Sequence, residues 1–190
     1  MVTASQLRTG MVIRHEGENY RILFADYHPG QGKMGGVTHS RLKNLATGTT
    51  WEHSFRSDLK LADVAVERQP MEFLYSDAEN CYFMHPDTYE QVTIPMEIIG
   101  EHARFLKEGM QVPVEVVDGT PTSVLFPEFL ELRIADTAPP IHQQQDSTWK
   151  PAQLENGVQV RVPQFIKAGD VIRLDMNNLK YMDRAKGTAK

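Results

Sequence analysis

Apolar and polar positions alternate in short stretches along almost the whole chain, which is the period of half-buried β-strands. Met11-Val12-Ile13-Arg14 and Glu18 to Ala25 read as a first hairpin that turns through His15-Glu16-Gly17. Thr38 to Leu45 alternates imperfectly and closes in the turn Asn44-Leu45-Ala46-Thr47-Gly48-Thr49. Thr50 to Phe55 follows as another strand. A stretch of about 60 residues with this spacing fits a small, strongly curved barrel. A second set begins near Val64, with strands at Met71–Ser76, Asn80–Met84, Tyr89–Val92, Gln111–Val117 and Ser123–Leu125. Pro95 to Leu106 is its one helical stretch, with proline in the first turn and Gly109 beyond the end, while Gly100 counts against it. From Glu128 onward, Phe129–Ile134, Ala152–Leu154, Val158–Val162 and Asp170–Asp175 are the strands. A polar loop, Ile141 to Trp149, lies between the first two.

The expected fold is therefore all-β, with three small units at residues 1–64, 65–128 and 129–190. Units of about 60 residues are marginal in isolation, so they should pack on one another in series. Composition agrees with a folded chain: 41% apolar and 24% charged residues. No run of 18 apolar residues and no basic-then-apolar leader is present, which points to a cytoplasmic protein without a membrane partner. Cys81 has no second cysteine to pair with and reads as a buried strand residue.

Charge is unevenly distributed behind the net value of −5. Residues 1–63 carry 8 Lys/Arg and 6 Asp/Glu, residues 64–130 carry 3 and 12, and residues 131–190 carry 9 and 7. Two mildly basic ends and an acidic middle do not suit a protein that coats nucleic acid over its whole surface. They leave RNA contact open at the ends.

Little here suggests catalysis. The seven histidines, at 15, 28, 39, 53, 85, 102 and 142, fall in separate turns and strands. Neither paired metal ligands nor a nucleophile elbow occurs, so no metal, cofactor or enzymatic activity is expected. The carboxylates from Glu67 to Glu128 read as a solvated face.

The segment that stands apart is His28-Pro29-Gly30-Gln31-Gly32-Lys33-Met34-Gly35-Gly36-Val37, with four glycines between positions 30 and 36. Such density means unusual backbone angles or close approach to something. A phosphate-loop reading fails, because Met34 stands where a hydroxyl is required and no helix follows. A glycine-rich mobile hairpin tip accounts for the composition as well as a functional tip does. In the functional reading, glycines leave the four-carbon stem of Lys33 projecting. Its amine would then reach phosphate or ribose, or serve as a point of modification, with Met34 against a base or sugar.

Several separate motifs in order give the chain a family likeness. Pro29 to Gly36 occupies the place of a Pro-Gly-Lys-Gly-Gly loop and leads into Ser40-Arg41-Leu42-Lys43-Asn44-Leu45-Ala46-Thr47-Gly48. Phe83 to Gln91, Asp118-Gly119-Thr120-Pro121, Lys150-Pro151-Ala152 and Val162 to Ile172 come after it in order. Over residues 3–184 the sequence resembles the elongation factor P family, the bacterial counterpart of the hypusine-bearing factor of archaea and eukaryotes. The resemblance implies a translation-type (KOW-like) SH3-like barrel followed by two OB-folds, in an elongated, tRNA-like monomer. It implies binding to the 70S ribosome between the P and E sites, on ribosomal RNA and P-site peptidyl-tRNA, and relief of stalls at consecutive prolines without enzymatic chemistry.

Register from Leu42-Lys43-Asn44-Leu45 backward puts Lys33 at the family's modified-lysine position, with a two-residue insertion before the tip. Whether a lysine-modifying enzyme extends it or it stays plain is open on sequence, as is the range of stalls relieved. Arg41, Lys43, Tyr181 and Arg184 are the further candidates for RNA contact. Gln143-Gln144-Gln145 stands where the family's E-site codon loop carries Gly-Asp-Thr. In the last hairpin the family's Gly-Glu-Tyr turn is replaced within Met176-Asn177-Asn178-Leu179-Lys180-Tyr181, which lacks the glycine. Two alternatives are a ribosome-associated RNA-binding or assembly module, and a paralogue serving other arrest sequences.

Overall fold

The computed structural model describes residues 1–30, 35–140 and 149–185. Three antiparallel sheets follow one another in sequence. The first comprises β1 (Val2–Thr3), β2 (Val12–His15), β3 (Glu18–His28), β4 (Val37–Asn44), β5 (Thr50–Arg56) and β6 (Lys60–Asp63), in the order β1-β6-β2-β3-β4-β5. The second comprises β7 (Glu67–Ser76), β8 (Asn80–Met84), β9 (Gln91–Pro95), β10 (Gln111–Val117) and β11 (Thr120–Val124). The third comprises β12 (Phe129–Thr137), β13 (Trp149–Leu154), β14 (Gln159–Pro163), β15 (Val171–Asp175) and β16 (Lys180–Arg184).

The second and third sheets share one topology. Their strand orders, β11-β10-β7-β8-β9 and β14-β13-β12-β15-β16, place the first strand of each set at the centre of its sheet. In both, the two edge strands also approach each other. That is the partly open five-stranded barrel of OB-folds. Alternation decides which side chains go inward: β13 reads exposed–buried along its whole length, with Lys150, Ala152 and Leu154 inside.

Two-residue turns set the hairpins. Glu16-Gly17 joins β2 to β3 and Asp118-Gly119 joins β10 to β11, with all four residues at positive φ. This is the left-handed turn whose twist matches paired strands. The helical expectation for Pro95–Leu106 changes form. Met96–Ile99 makes one α-turn, Gly100 breaks it at φ 70°, and Gly100–Phe105 continues as a 3-10 segment. Glycine at that angle costs nothing, and the chain uses it to redirect.

Contacts gather the chain into two compact units, Met1–Ala103 with Lys107–Leu125, and Arg104–Leu106 with Phe126–Lys190. Phe105 accordingly belongs to the core of the third sheet, beside Leu132, Ile134, Val162 and Ile172. In the first unit, Ile13, Ile22, Leu42, Phe55 and Leu61 form the core of the first sheet. Cys81 is buried in β8, as expected from its strand, and burial pushes its thiol pKa up.

Val12, Leu45 and Val117 join the first and second sheets through a small apolar cluster. Around it Arg14 and Asn19 donate to Asp118, and Arg21 donates to Glu115. Arg68 Nε lies 3.5 Å from the same Glu115 carboxylate. Glu115 is 2% exposed, so the expectation that the acidic stretch is simply a solvated face fails at this residue. A buried carboxylate needs partners, and two arginines and the Ser123 hydroxyl supply them. Among the described residues no helix is long and apolar enough to cross a membrane.

Candidate functional site

The glycine-rich loop tops the longest hairpin of the first sheet. Strands β3 and β4 pair from Tyr20↔Asn44 up to His28↔Val37, with a bulge at Leu23 between the pairs Ile22↔Leu42 and Phe24↔Arg41. A bulge shifts the alternation by one, so beyond it different residues face each side. Three rows then run across β3, β4 and β5 on one face: Phe24, Arg41 and Glu52; Asp26, His39 and Ser54; His28, Val37 and Arg56.

That face is polar and largely internally paired. Arg41 donates to Glu52 through Nε at 3.0 Å and Nη2 at 2.7 Å. His39 Nδ1 and Ser54 Oγ are 2.7 Å apart, and His28 Nε2 lies 3.0 Å from Asp26 Oδ2. The His28 and His39 rings meet edge-on at 5.2 Å. Phe24, 54% exposed, borders a shallow depression of 480 Å³ with His39, Arg41 and Glu52. On the opposite face His53 sits between Trp51 and Phe55, at 4.4 and 4.5 Å between ring centroids. Burial, then the neighbouring His15, holds its pKa below the ordinary histidine value.

The base of the tip is tightly built. A Cβ placed on Gly36 would come 2.7 Å from Tyr27 Cε2 and 2.8 Å from the His28 carbonyl oxygen, so only glycine fits. Gly35 next to it has nothing within 4 Å among the described residues. The Ser57 amide donates to the Gly36 carbonyl at 2.8 Å and ties the returning strand to the end of β5. Pro29, Gly30, Gly35 and Gly36 therefore lie at this root. Gln31, Gly32, Lys33 and Met34 lie outside the described residues, as do Gln143, Gln144 and Gln145.

The other sequence candidates separate. Arg41 faces Glu52 on the hairpin. Lys43 turns to the α-turn that follows β9, its Nζ 3.4 Å from the Ile98 carbonyl oxygen. Tyr181 and Arg184 are on β16 in the second compact unit. Tyr181 is half-buried and its pKa is raised, by burial first and then by Asp183. Phe24, Tyr27 and His39 escaped the sequence reading. The adjacent apolar pair Leu23-Phe24 inside an alternating strand was the available signal of a bulge. Among the described residues no group of three or more His, Cys, Asp or Glu converges as a metal site would require.

Comparison with known proteins covers nearly the whole chain. Three family models match in order: the elongation factor P KOW-like domain at residues 3–61, the elongation factor P OB domain at 66–124, and the elongation factor P C-terminal domain at 130–184. A protein named elongation factor P from Coprothermobacter proteolyticus is 37% identical over 185 residues, covering 97% of this chain and 99% of its own. One of the same name from Acidobacterium capsulatum is 35% identical over 185 residues, with 97% and 99% covered. Among solved structures, eukaryotic translation initiation factor 5A from Methanococcus jannaschii superposes with a TM-score of 0.51 at 20% identity. The match covers 65% of this chain and 92% of that one, a likeness of fold alone.

Proposed function

The chain belongs to the elongation factor P family of non-catalytic translation elongation factors, and from that premise we propose how it acts on a stalled ribosome. It binds the ribosome between the P and E sites in the cytoplasm and stimulates peptide-bond formation where consecutive prolines arrest synthesis. The ribosome performs the chemistry. The factor contributes binding energy and orientation, since holding reactants in an attack geometry removes an entropic barrier. Each power of ten in rate needs about 1.4 kcal/mol, within reach of a few placed contacts.

In this reading the tip of the β3–β4 hairpin faces the CCA end of P-site peptidyl-tRNA, and the Lys33 amine makes the contact, plain or extended by a lysine-modifying enzyme. Arg41 at the hairpin and Tyr181 and Arg184 on β16 contact ribosomal or transfer RNA. The Gln143-Gln144-Gln145 segment meets the E-site codon. One observation carries the reading: three family domains in unbroken order over residues 3–184, with the glycine-rich loop on the first. The root geometry supports it, because Gly36 and Tyr27 give the loop a fixed base.

The test is reconstituted translation of a polyproline message with the natively expressed protein, whose intact mass reports any modification of Lys33. Wild type should accelerate peptide formation, and Lys33→Ala should lose most of that acceleration while keeping its melting profile. Equal activity of the two would sink the role of Lys33, and no acceleration by wild type would sink the function.

A further inference from the structure

A groove in the third sheet has the construction of a site for an unpaired base. It lies where the edge strands β14 and β16 approach, encloses 840 Å³, and is walled by Trp149, Arg161, Leu179, Lys180 and Tyr181. Alternation puts Trp149 on the outer side of β13 and Arg161 on the outer side of β14, while the intervening Lys150 and Val160 are buried. Trp149 is 45% exposed. Its ring meets Tyr181 at 5.8 Å and 77°, an edge-to-face pair, and both rings line the groove. Arg161 Nη2 donates to the Trp149 carbonyl oxygen at 2.9 Å, which steadies the backbone under the indole.

Two further features point to a ligand. Arg161 and Lys180 are the charged residues lining the groove, and no carboxylate lines it among the described residues. This sign suits phosphate and disfavours cationic peptide. Leu179, which lines the groove, holds φ at 56°, a left-handed backbone that a leucine adopts only at a cost of about 1–2 kcal/mol. Glycine would sit there without strain, so the apolar side chain is retained against the backbone. Part of its return is packing on the adjacent core. It also contributes an apolar part of the groove lining.

We propose that this groove stacks an unpaired RNA nucleotide against Trp149, with Arg161 and Lys180 on its phosphates. The proposal rests on the ribosome-binding reading for the source of its RNA and adds a site to it. Base stacking on an exposed aromatic is sequence-tolerant and works with a cationic rim, the combination by which OB barrels hold single strands.

The experiment uses the full chain and a labelled, unstructured oligoadenylate followed by fluorescence anisotropy, with a duplex of equal length as control. Wild type binds the single strand in preference to the duplex. Trp149→Ala weakens that binding roughly 5- to 160-fold, the loss of one stack, and Trp149→Phe restores most of it. Circular dichroism melts show both variants folded. The logarithmic salt slope is about −1.4 for two phosphate contacts on a single strand, and Lys180→Gln brings it to about −0.7. Equal binding by wild type and Trp149→Ala, a salt slope near zero, or displacement of the RNA by an unrelated peptide would each overturn the proposal. Stall relief measured in parallel separates the two readings. Oligoadenylate binding without stall relief removes the proposed function and leaves the groove, and the converse removes the groove alone.

Discussion

The β3–β4 and β15–β16 hairpins resolve the conflict between backbone and side chain in opposite ways. At the root of the first tip, Gly36 gives up its side chain so that Tyr27 and the His28 carbonyl can close over the backbone. In the last hairpin Leu179 keeps a side chain at an angle that favours glycine. One place uses absence of bulk to close the root of a hairpin, and the other accepts strain to pack a leucine on its core. Glycine content alone therefore does not mark where a hairpin departs from ordinary backbone angles.

Substitutions at these positions test the contrast. The largest effect should come from Gly36→Ala, which places a methyl against Tyr27 and a backbone carbonyl. Overpacking of this kind costs about 1–3 kcal/mol, read as a lower midpoint in chemical unfolding. Tyr27→Ala in the same background should recover only part of it, since the His28 carbonyl remains at 2.8 Å. A Gly36→Ala protein as stable as wild type would show that Tyr27 does not sit against this residue. Next in size is the order at position 179. Leu179→Ala keeps the left-handed strain and loses the contacts, so it should be less stable than Leu179→Gly by about 1 kcal/mol. This reverses the usual preference for alanine, and alanine equal to glycine would remove the strain argument. Smallest is Gly35→Ala, where open space and an ordinary φ predict a change within about 0.5 kcal/mol.

What the sequence disclosed depends on the range of the forces involved. The turn at Glu16-Gly17 was readable because turn chemistry is local, and alternation located most of the strands. Val2–Thr3 and Lys60–Asp63 pair with each other, but two and four residues are too few to show a period. Gly100 divides the expected helix at φ 70°, and Phe105, five residues on, packs into the core of the third sheet, a long-range contact that no local pattern shows. Glu115 was the least legible residue: its burial depends on Arg21, 94 positions away, and nothing nearby in sequence announces it. For the candidate site, motif order pointed to the loop, whose root the structure describes, while Lys33 lies outside the described residues. Phe24 and His39 came onto one face only through the bulge at Leu23, which displaces the alternation that pattern reading relies on. The groove at Trp149 needed three strands brought together, although its tryptophan beside a polar loop was visible all along.

The clasp at Glu115 has a mechanical consequence for the hairpin. Arg21 and His28 lie on the same strand, seven residues apart, or roughly 24 Å of extended backbone. The strand is thus a lever, anchored to the second sheet at one end and carrying the root of the glycine-rich tip at the other. A tilt of about 5° at the anchor would sweep the far end by roughly 2 Å over that length, and misplacements of about 1 Å already degrade positioned reactions a hundredfold. The buried carboxylate, far from the root, therefore shares in setting where the end of β3 lies.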